Sequence, residues 1–398
     1  MRILIHTDEY YPTCQACAYR MKVFAETFSD LGDDVTVIAS SANKDNGMVG
    51  ESKERIIYSP TVRMKKKTTL MRMVSNLSFA ITSVFSSFRA GGVDVVITTS
   101  PPPLISLSGW LIARLKRAKL VYDVRDIWPD VALEMNSFSE DSIFCKVFRW
   151  ITSFMYKHAD MVTTVSPGKV EKICGKLPED RHNKVYLIGN GFDESVLNGE
   201  IDEAVVQKYE LDKKFSCVYI GNIGLAQGLD SLLDLAAKTT HKDVQFLVFG
   251  MGAERETLEQ RAKQEGLNNV KFCGVLPHEK VFTVLKYAKL SYIPLKNANM
   301  RDSVPTKIYE ALGLGCPVLL VAEGDSCSIV NESGFGRCIS PNNIESLPTT
   351  FDNIIESYEG LLQNKEYAMQ LMKGKYSRQK IAVGFESLLK KQKIGDKL

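Results

Sequence analysis

Short apolar runs rich in β-branched residues alternate with longer amphipathic segments along the whole chain. The runs of the first half span residues 3–6, 35–39, 95–98, 120–124, 161–165 and 185–188. Those of the second half span residues 216–220, 244–249, 270–272, 290–293 and 317–321. Continuous β-branched runs separated by helical segments are typical of parallel strands that helices cover on both faces. The pattern therefore predicts an α/β protein with two doubly wound, Rossmann-like domains.

The boundary between the domains is predicted from residues 188–203, IGNGFDESVLNGEIDE, which combine turn and acidic residues and lack a hydrophobic period. We place the N-terminal domain at residues 1–193 and the C-terminal domain at residues 194–375. The Lys-rich helical pattern at 376–394 is a candidate for packing back on the N-terminal domain. Two such domains are expected to face each other across a cleft, with ligands at the loops that follow the strands.

Charge and composition narrow the function classes. The 50 basic and 47 acidic side chains of the 398 residues nearly cancel, which disfavours nucleic acid as the main partner. The chain opens directly on a strand-like run and contains no apolar stretch of about 20 residues, so we expect a cytoplasmic protein without a transmembrane helix. Nine scattered cysteines suit reduced thiols. Cys14 and Cys17 form one Cys-x-x-Cys pair, which is a weak redox signal and equally a turn of small residues.

Two glycine-rich loops follow predicted strands of the C-terminal domain. Residues 221–224 read Gly-Asn-Ile-Gly, and residues 250–252 read Gly-Met-Gly ahead of a helical pattern. Glycine lets backbone amides approach a diphosphate, and a helix N-terminus adds a favourable dipole. Either loop alone is also explained by a steric requirement of the turn. Both loops in one domain favour a nucleotide site.

The segment 301–318, RDSVPTKIYEALGLGCPV, adds a charged helix start. Pro305 suits the beginning of a helix, which places Lys307 in its first turn and Glu310 one turn later. A cation at this position suits phosphate, and a carboxylate suits ribose hydroxyls. The alternative is a surface ion pair between Lys307 and Glu310.

Polar loops also follow strands of the N-terminal domain. In the segment 122–130, YDVRDIWPD, Arg125 and Asp126 are expected at a strand end, where they can bind phosphate or sugar oxygens. An Arg–Asp pair that only fixes the loop is the alternative. The loops at 8–13 and 100–103 are similarly placed, although an aromatic turn and a stiff proline turn explain them equally well. The predicted acceptor-side residues are Glu9, Tyr11, Thr13, Ser100 and Asp123.

No metal or other cofactor is indicated by the sequence. The chain contains no Asp-x-Asp, and its five histidines include no ligand-spaced pair. If a nucleotide diphosphate leaves, helix termini and cations such as Lys307 must stabilise it.

A cationic segment precedes an amphipathic one in the first half. Arg63, Lys65, Lys66, Lys67 and Arg72 come before the amphipathic run 77–88, a combination suited to anionic lipid headgroups. Further cations that extend this surface are Arg114, Lys116, Arg117 and Lys119. A solvated loop followed by a core-packing helix is the alternative.

Several of these segments, in this order, resemble glycosyltransferase family 4, the group-1 glycosyltransferases, in the branch of amino-sugar transferases of O-antigen and capsule assembly. The resemblance rests on the YYP loop, TTSPPP, YDVRDIWPD, Val165-Ser166-Pro167, IGNGFD, YIGNIGLAQGLDSLL, FGMGAERETLE, NVKFCGVLPHE and VPTKIYEALGLGCPV. It implies the GT-B fold, a nucleotide-sugar donor on the C-terminal domain, an acceptor on the N-terminal domain, and retention of anomeric configuration without a catalytic metal.

The resemblance also implies roles for individual residues. Lys307 would bind phosphate and Glu310 the ribose or sugar, while Arg125 falls where many relatives carry a histidine beside the transferred sugar. The expected catalytic residues are Arg125, Asp126 and Glu310. The expected donor-binding residues are Gly221, Asn222, Gly224, Gly250, Gly252, Glu254, Asp302, Val304, Lys307 and Glu310.

Three departures from the family pattern are visible. Residues 13–18 replace the paired glycines that often follow the YPP-like loop. Asn222 and Gln227 stand where many relatives carry Arg and Lys, and the usual Glu-x7-Glu becomes Asp302-x7-Glu310.

The resemblance therefore implies a retaining, metal-independent glycosyltransferase on the inner face of a bacterial membrane. It would move a sugar, expected to be an N-acetylated amino sugar on a UDP donor, to a lipid-linked saccharide of O-antigen or capsule. Two alternatives stay open. A nucleotide-sugar 2-epimerase of the same fold would turn over without an acceptor, and a two-lobed sugar-binding protein would bind sugar without nucleotide.

Overall fold

The computed structural model describes residues 1–11, 13, 16–43, 52–63, 69–134 and 139–395. Its contacts divide the chain into two compact units, one of Met1–Asn190 with Arg378–Leu398 and one of Gly191–Ser377. The sequence placed the first division at residue 193, within the same turn-rich connection. Each unit contains one parallel sheet, which confirms the prediction of two doubly wound α/β domains.

The sheet of the first unit has seven strands in the order β3-β2-β1-β4-β5-β6-β7, all paired in parallel. Its strands are β1 (Arg2–His6), β2 (Asp34–Ser40), β3 (Arg55–Ser59), β4 (Val95–Ser100), β5 (Lys119–Val124), β6 (Met161–Thr164) and β7 (Val185–Leu187). The helices between them are α1 (Ala16–Asp30), α2 (Thr69–Ser87), α3 (Pro103–Lys116), α4 (Asp130–Glu134), α5 (Ile143–His158) and α6 (Pro167–Cys174).

Helices cover both faces of this sheet, as its continuous apolar strands require. Ile3 and Ile5 of β1 point to a core that they share with α1. Leu4 points to the opposite core, which is shared with α2, α3, α5 and α6. Because successive strand side chains alternate between faces, one short strand contributes to both cores.

A buried histidine gives the second of these cores a polar centre. His6 is fully buried, with Nδ1 3.0 Å from Thr98 Oγ1 and Nε2 2.9 Å from Ser83 Oγ. Burial lowers the pKa of His6 to about 3, so the ring is neutral at physiological pH. Ser83 is one of four buried serines of α2, and the others are Ser75, Ser86 and Ser87.

The sheet of the second unit has six parallel strands in the order β10-β9-β8-β11-β12-β13. Its strands are β8 (Phe215–Ile220), β9 (Val244–Phe249), β10 (Val270–Gly274), β11 (Leu290–Pro294), β12 (Val318–Val321) and β13 (Gly336–Ile339). Its helices are α7 (Glu203–Tyr209), α8 (Asp230–Lys238), α9 (Arg255–Gln264), α10 (His278–Tyr287), α11 (Thr306–Gly313), α12 (Asp325–Ser333), α13 (Leu347–Glu356), α14 (Tyr358–Leu362) and α15 (Lys365–Gly374).

The C-terminal helix α16 (Arg378–Gly395) belongs to the first unit. Phe385 of α16 is buried between two rings of α1, with its centroid 5.7 Å from that of Phe24 and 5.9 Å from that of Phe28. Arg378 Nε donates to the Asn190 carbonyl over 2.7 Å. The helix therefore completes the outer layer over β1 and β2.

Two strands, β3 and β13, were not predicted from the sequence. Both lie at sheet edges, where a strand needs only one partner and a weaker apolar signal suffices. Residues 336–339, Gly-Arg-Cys-Ile, contain a single β-branched residue, and strand β3 includes only two. Their placement depends on tertiary pairing with β12 and β2.

Candidate functional site

The two glycine loops of the second unit interlock at the carboxyl ends of β8 and β9. Gly221 N donates to Phe249 O over 2.9 Å, and Ile223 N donates to Met251 O over 2.9 Å. A Cβ atom on Gly250 would lie 1.8 Å from Gly221 O, and one on Gly252 would lie 2.0 Å from Ile223 O. The steric interpretation therefore explains Gly250 and Gly252, because two loop backbones meet there.

Gly221 differs because it faces a cation. Its φ is +146°, and a Cβ there would lie 2.8 Å from Lys307 Nζ. Asn222 is exposed, and its side-chain nitrogen would lie 2.6 Å from a Cβ on Gly224. The loop after β8 thus leaves backbone accessible beside an ammonium group.

Lys307 occupies the first turn of α11, as the sequence predicted. Its Nζ lies 4.1 Å from the centroid of the Tyr219 ring. Within the described part of the chain Lys307 forms no salt bridge, with Glu310 or any other carboxylate, so the predicted alternative of a Lys307–Glu310 ion pair is not formed. Burial lowers the pKa of Lys307 to about 8, against the opposing effect of the Glu310 charge.

Glu310 is half-buried one turn along the same helix, where it lines a cavity of about 580 Å³. Segments 195–202 and 278–282 and the side chain of Leu314 form the other walls. Lys307 therefore lies next to the glycine loop, and Glu310 lies at the cavity.

Three other predicted donor contacts have different positions. Asp302 and Val304 are buried, at 6% and 8% exposure, and their contact with a donor stays a prediction. Glu254 is partly exposed, and its amide donates to Ile223 O over 3.1 Å. It joins the helix α9 to the glycine loop.

Arg125 lies just after β5 in the first unit. Its backbone nitrogen donates to Ser100 O over 2.9 Å, and Nη2 donates to Pro101 O over 2.8 Å. Its buried Nε has no hydrogen-bond partner among the described residues. Burial opposes its charge, but the fields of Cys17, Asp126, Asp123 and Asp8 outweigh burial and raise the pKa of the guanidinium.

Acidic groups surround this guanidinium. Asp126 has a side chain 43% exposed, with Oδ1 4.0 Å from Lys169 Nζ. Burial raises the pKa of Asp8 to about 6, and burial together with the Asp8 charge raises the pKa of Glu9 to about 7. The cluster therefore offers carboxyl groups that can accept or hold a proton near neutral pH.

Three other predicted acceptor-side residues are buried. Asp123 is fully buried, with its Oδ2 2.6 Å from Arg20 Nη1 and its Oδ1 accepting from Thr163 Oγ1 over 2.7 Å. Ser100 is fully buried and Thr13 is 8% exposed. The acceptor contacts of Asp123, Ser100 and Thr13 stay a prediction, and all three residues are buried. Tyr11 stays partly exposed, with Lys22 Nζ 4.2 Å from its ring centroid.

Some predicted features fall outside the described residues, namely Cys14 and the cations Lys65, Lys66 and Lys67. Cys17 is buried, and burial raises the pKa of its thiol to about 11. No three His, Cys, Asp or Glu side chains of the described ranges come together in a way that could hold a metal ion. None of the helices in those ranges combines the length and apolarity needed to cross a membrane.

Sequence reasoning missed two residues of this arrangement, Tyr219 and Lys169. Tyr219 sits inside a predicted strand, where an aromatic residue is ordinarily taken as core. Lys169 follows the Ser166-Pro167 helix start, and nothing in its spacing links it to Asp126. Only the fold brings these side chains to Lys307 and Asp126.

Two family models together span most of the chain. Residues 17–191 match the model of a glycosyl transferase 4-like domain, and residues 201–371 match that of glycosyl transferases group 1. WcaI of Escherichia coli K12, provisionally named a colanic acid biosynthesis glycosyl transferase, is 24% identical over 372 residues, which are 87% of this chain and 90% of WcaI. WbjE of Pseudomonas aeruginosa, named a probable glycosyltransferase, is 22% identical over 342 residues, or 85% of each chain.

Solved structures share the fold. A crystal structure of Anabaena Alr3699/HepE in complex with UDP and glucose matches 98% of this chain and 100% of that one, with a TM-score of 0.77 and 17% identity. This likeness confirms the predicted GT-B fold class.

The structure predicts that Asp123 contributes to stability. Asp123→Asn leaves the Arg20 guanidinium buried without its counter-charge, so the free energy of unfolding should fall by about 3–5 kcal/mol. Urea unfolding followed by circular dichroism measures this change. Asp126→Asn is the matched control, because that partly exposed carboxylate should contribute less than about 1 kcal/mol. Equal stability of the two variants would contradict the assignment.

Proposed function

The chain belongs to the group-1 glycosyltransferases, and we propose that it transfers a sugar from a UDP-linked donor to a lipid-linked saccharide in polysaccharide synthesis. The observation that carries this proposal is Lys307, a half-buried cation without a carboxylate partner in the described structure, beside the open backbone of Gly221. HepE, which shares the fold, binds UDP and glucose, and the name of WcaI places it in colanic acid synthesis. An N-acetylated amino sugar, O-antigen or capsule as product, and retention follow from the resemblance to the amino-sugar branch.

The donor diphosphate is proposed to lie between Lys307 and the loop 221–224. The first turn of α11 presents amides that no helical carbonyl satisfies, and the helix dipole favours an anion there. Lys307 adds a full positive charge, which the uncharged Asn222 and Gln227 do not. A cation that carries no salt bridge can meet the phosphate without first breaking an ion pair.

The nucleoside is proposed to lie toward the cavity that Glu310 lines. A carboxylate beside a diphosphate is repelled unless it faces hydroxyl groups, so Glu310 suits the ribose or the sugar. The one-turn spacing on α11 separates the two roles. Together they set the direction of the donor along the helix.

The leaving diphosphate is proposed to need no metal. Lys307 and the amides of the α11 N-terminus would stabilise its developing charge. In the first unit, Arg125 and Asp126 are proposed to act on the acceptor and the transferred sugar, with Glu9 beside them. Asp126 is exposed enough to accept hydrogen bonds from sugar hydroxyls, and the Arg125 guanidinium beside it carries a positive charge.

The proposal predicts transfer in the presence of EDTA. Nucleotide sugars, including UDP-linked N-acetylated amino sugars, are incubated with a library of lipid-linked saccharides, and mass spectrometry detects the glycosylated lipid. Product should form equally with and without EDTA. Loss of product with EDTA that magnesium or manganese restores would contradict metal independence. Turnover of the UDP-sugar without any acceptor would favour an epimerase, and sugar binding without nucleotide would favour a binding protein.

Calorimetry with UDP and uridine tests the donor site. Lys307→Ala should weaken UDP binding about ten- to hundredfold and uridine binding little, because one charge-assisted hydrogen bond is worth about 1.5–3 kcal/mol. Glu310→Gln should weaken both ligands, since each carries the ribose. Unchanged UDP affinity in Lys307→Ala would place the phosphates elsewhere.

A second part of the proposal is that the first unit binds an anionic membrane through α2, α3 and α5, which we call the three-helix face. The three helices pack side by side, α2 on α3 and α3 on α5. Their outer sides expose large apolar residues, between 39% and 70% exposed: Val74, Leu77, Ile81, Phe85, Leu111, Leu115, Ile143, Val147 and Trp150. An exposed apolar surface of this extent marks an interaction site.

The charged residues of the three helices indicate which kind of surface the three-helix face binds. The sequences of α2, α3 and α5 contain no Asp or Glu, whereas they contribute the cations Arg72, Arg114, Lys116, Lys146, Arg149 and Lys157. Apolar side chains framed by cations suit shallow insertion among anionic headgroups. A lipid-linked acceptor is presented at such a surface.

Sedimentation with vesicles tests the three-helix face. Ile81→Ser/Phe85→Ser should reduce binding to phosphatidylglycerol–phosphatidylcholine vesicles at least about tenfold, because each removed apolar side chain is worth about 1.5–3 kcal/mol when fully buried. Leu31→Ser/Val383→Ser is the matched control, since both residues are 42% exposed and lie outside this face. Equal binding of both double variants would refute the proposal, and loss of self-association instead would identify a second copy as the occupant.

A further inference from the structure

We propose that Tyr219 is a positioning residue that holds the Lys307 ammonium group ready for the donor phosphates. The inference rests on the proposed function, in which Lys307 binds the diphosphate. It assigns to a core aromatic residue a task that neither the family resemblance nor the sequence pattern gave it.

One side chain contacts both parts of the proposed phosphate site. Tyr219 is fully buried in β8, and its ring centroid lies 4.1 Å from Lys307 Nζ. Its hydroxyl donates to the Asn222 carbonyl over 2.5 Å. Tyr219 therefore connects the first turn of α11 to the glycine loop that follows its own strand.

An aromatic ring suits this position better than a carboxylate. The face of the ring attracts a cation through its quadrupole but carries no net charge. A carboxylate in the same place would neutralise Lys307, and an incoming phosphate would have to compete with it. The ring fixes the ammonium group while its charge remains available.

Gly221 leaves room for the ammonium group because it has no side chain. A Cβ at this position would lie 2.8 Å from Lys307 Nζ and 3.7 Å from the Tyr219 hydroxyl. Its φ of +146° is also a conformation that L side chains rarely adopt. Ring, glycine and lysine thus form one closely packed group.

The titration of Lys307 provides a readout for the role of the ring. Burial lowers its pKa to about 8 and the Glu310 charge opposes this, while the Tyr219 phenol stays neutral because burial raises its pKa. UDP binding should therefore weaken as pH rises through this value. Removing the attraction of the ring destabilises the charged form, so the loss of UDP binding should then begin at lower pH.

The test compares Tyr219→Phe with Tyr219→pentafluorophenylalanine, which have similar ring shapes but opposite charge on the ring face. Tyr219→pentafluorophenylalanine should bind UDP roughly three- to thirtyfold more weakly than Tyr219→Phe, with uridine binding equal in the two. Its loss of UDP binding with pH should also begin earlier. Tyr292→Phe is the matched control, because Tyr292 is equally buried in the same sheet and its hydroxyl lies 2.7 Å from Ser231 Oγ.

The same comparison in a Lys307→Ala background separates the two claims. If Tyr219 acts through Lys307, the two ring variants should bind UDP equally once Lys307 is gone. If Lys307→Ala weakens UDP binding but the ring variants do not differ with Lys307 present, the role of Tyr219 is overturned and the proposed function stands. If Lys307→Ala leaves UDP binding unchanged, the proposed phosphate site itself is wrong.

Discussion

The backbone contact between the loops after β8 and β9 is the constraint on which the candidate donor site depends. Gly250 and Gly252 leave room for Gly221 O and Ile223 O, and any side chain there would force the loops apart. Amide-to-carbonyl bonds between the loops fix this approach. The loop after β8 is consequently held where Gly221 meets the first turn of α11. A donor site built this way needs few charged groups, because backbone amides and a helix start supply much of the attraction for phosphate.

Arg20 of the first unit and Lys307 of the second differ in how their charge is balanced. Arg20 and Asp123 form a closed pair, with the second carboxylate oxygen bonded to Thr163 and the second guanidinium nitrogen bonded to Ile188 O. Both side chains are buried, and their opposite charges balance each other. Lys307, by contrast, is fixed by a ring and keeps its charge unneutralised within the described structure. A cation paired with a carboxylate stabilises the fold, whereas a cation beside a neutral ring can still bind an anion. The structure distinguishes the two cases because it shows the neighbours of each cation.

The sequence predicted the strand centres, the two sheets, and the neighbouring positions of Lys307 and Glu310, because apolar runs and a helix start are local signals. It did not predict β3 and β13, whose pairing is decided by a neighbouring strand. It did not predict that Asp123 and Ser100 are buried, since a position near a strand end does not tell whether a side chain points into the core. The sequence assigned no role to Tyr219, because an aromatic residue within a strand does not indicate which side chain contacts its ring.

The polarity of α2 joins the fold to the proposed membrane surface. Its inner side combines the core residue Phe79 with Ser83, which lies 2.9 Å from Nε2 of the buried His6. Its outer side also carries apolar residues, and Leu77, Ile81 and Phe85 are exposed there. An ordinary surface helix instead turns polar residues toward water. Nothing in the core requires the outer residues to be apolar, so a stripe of this length is better explained by a surface that it meets than by the folding of the unit.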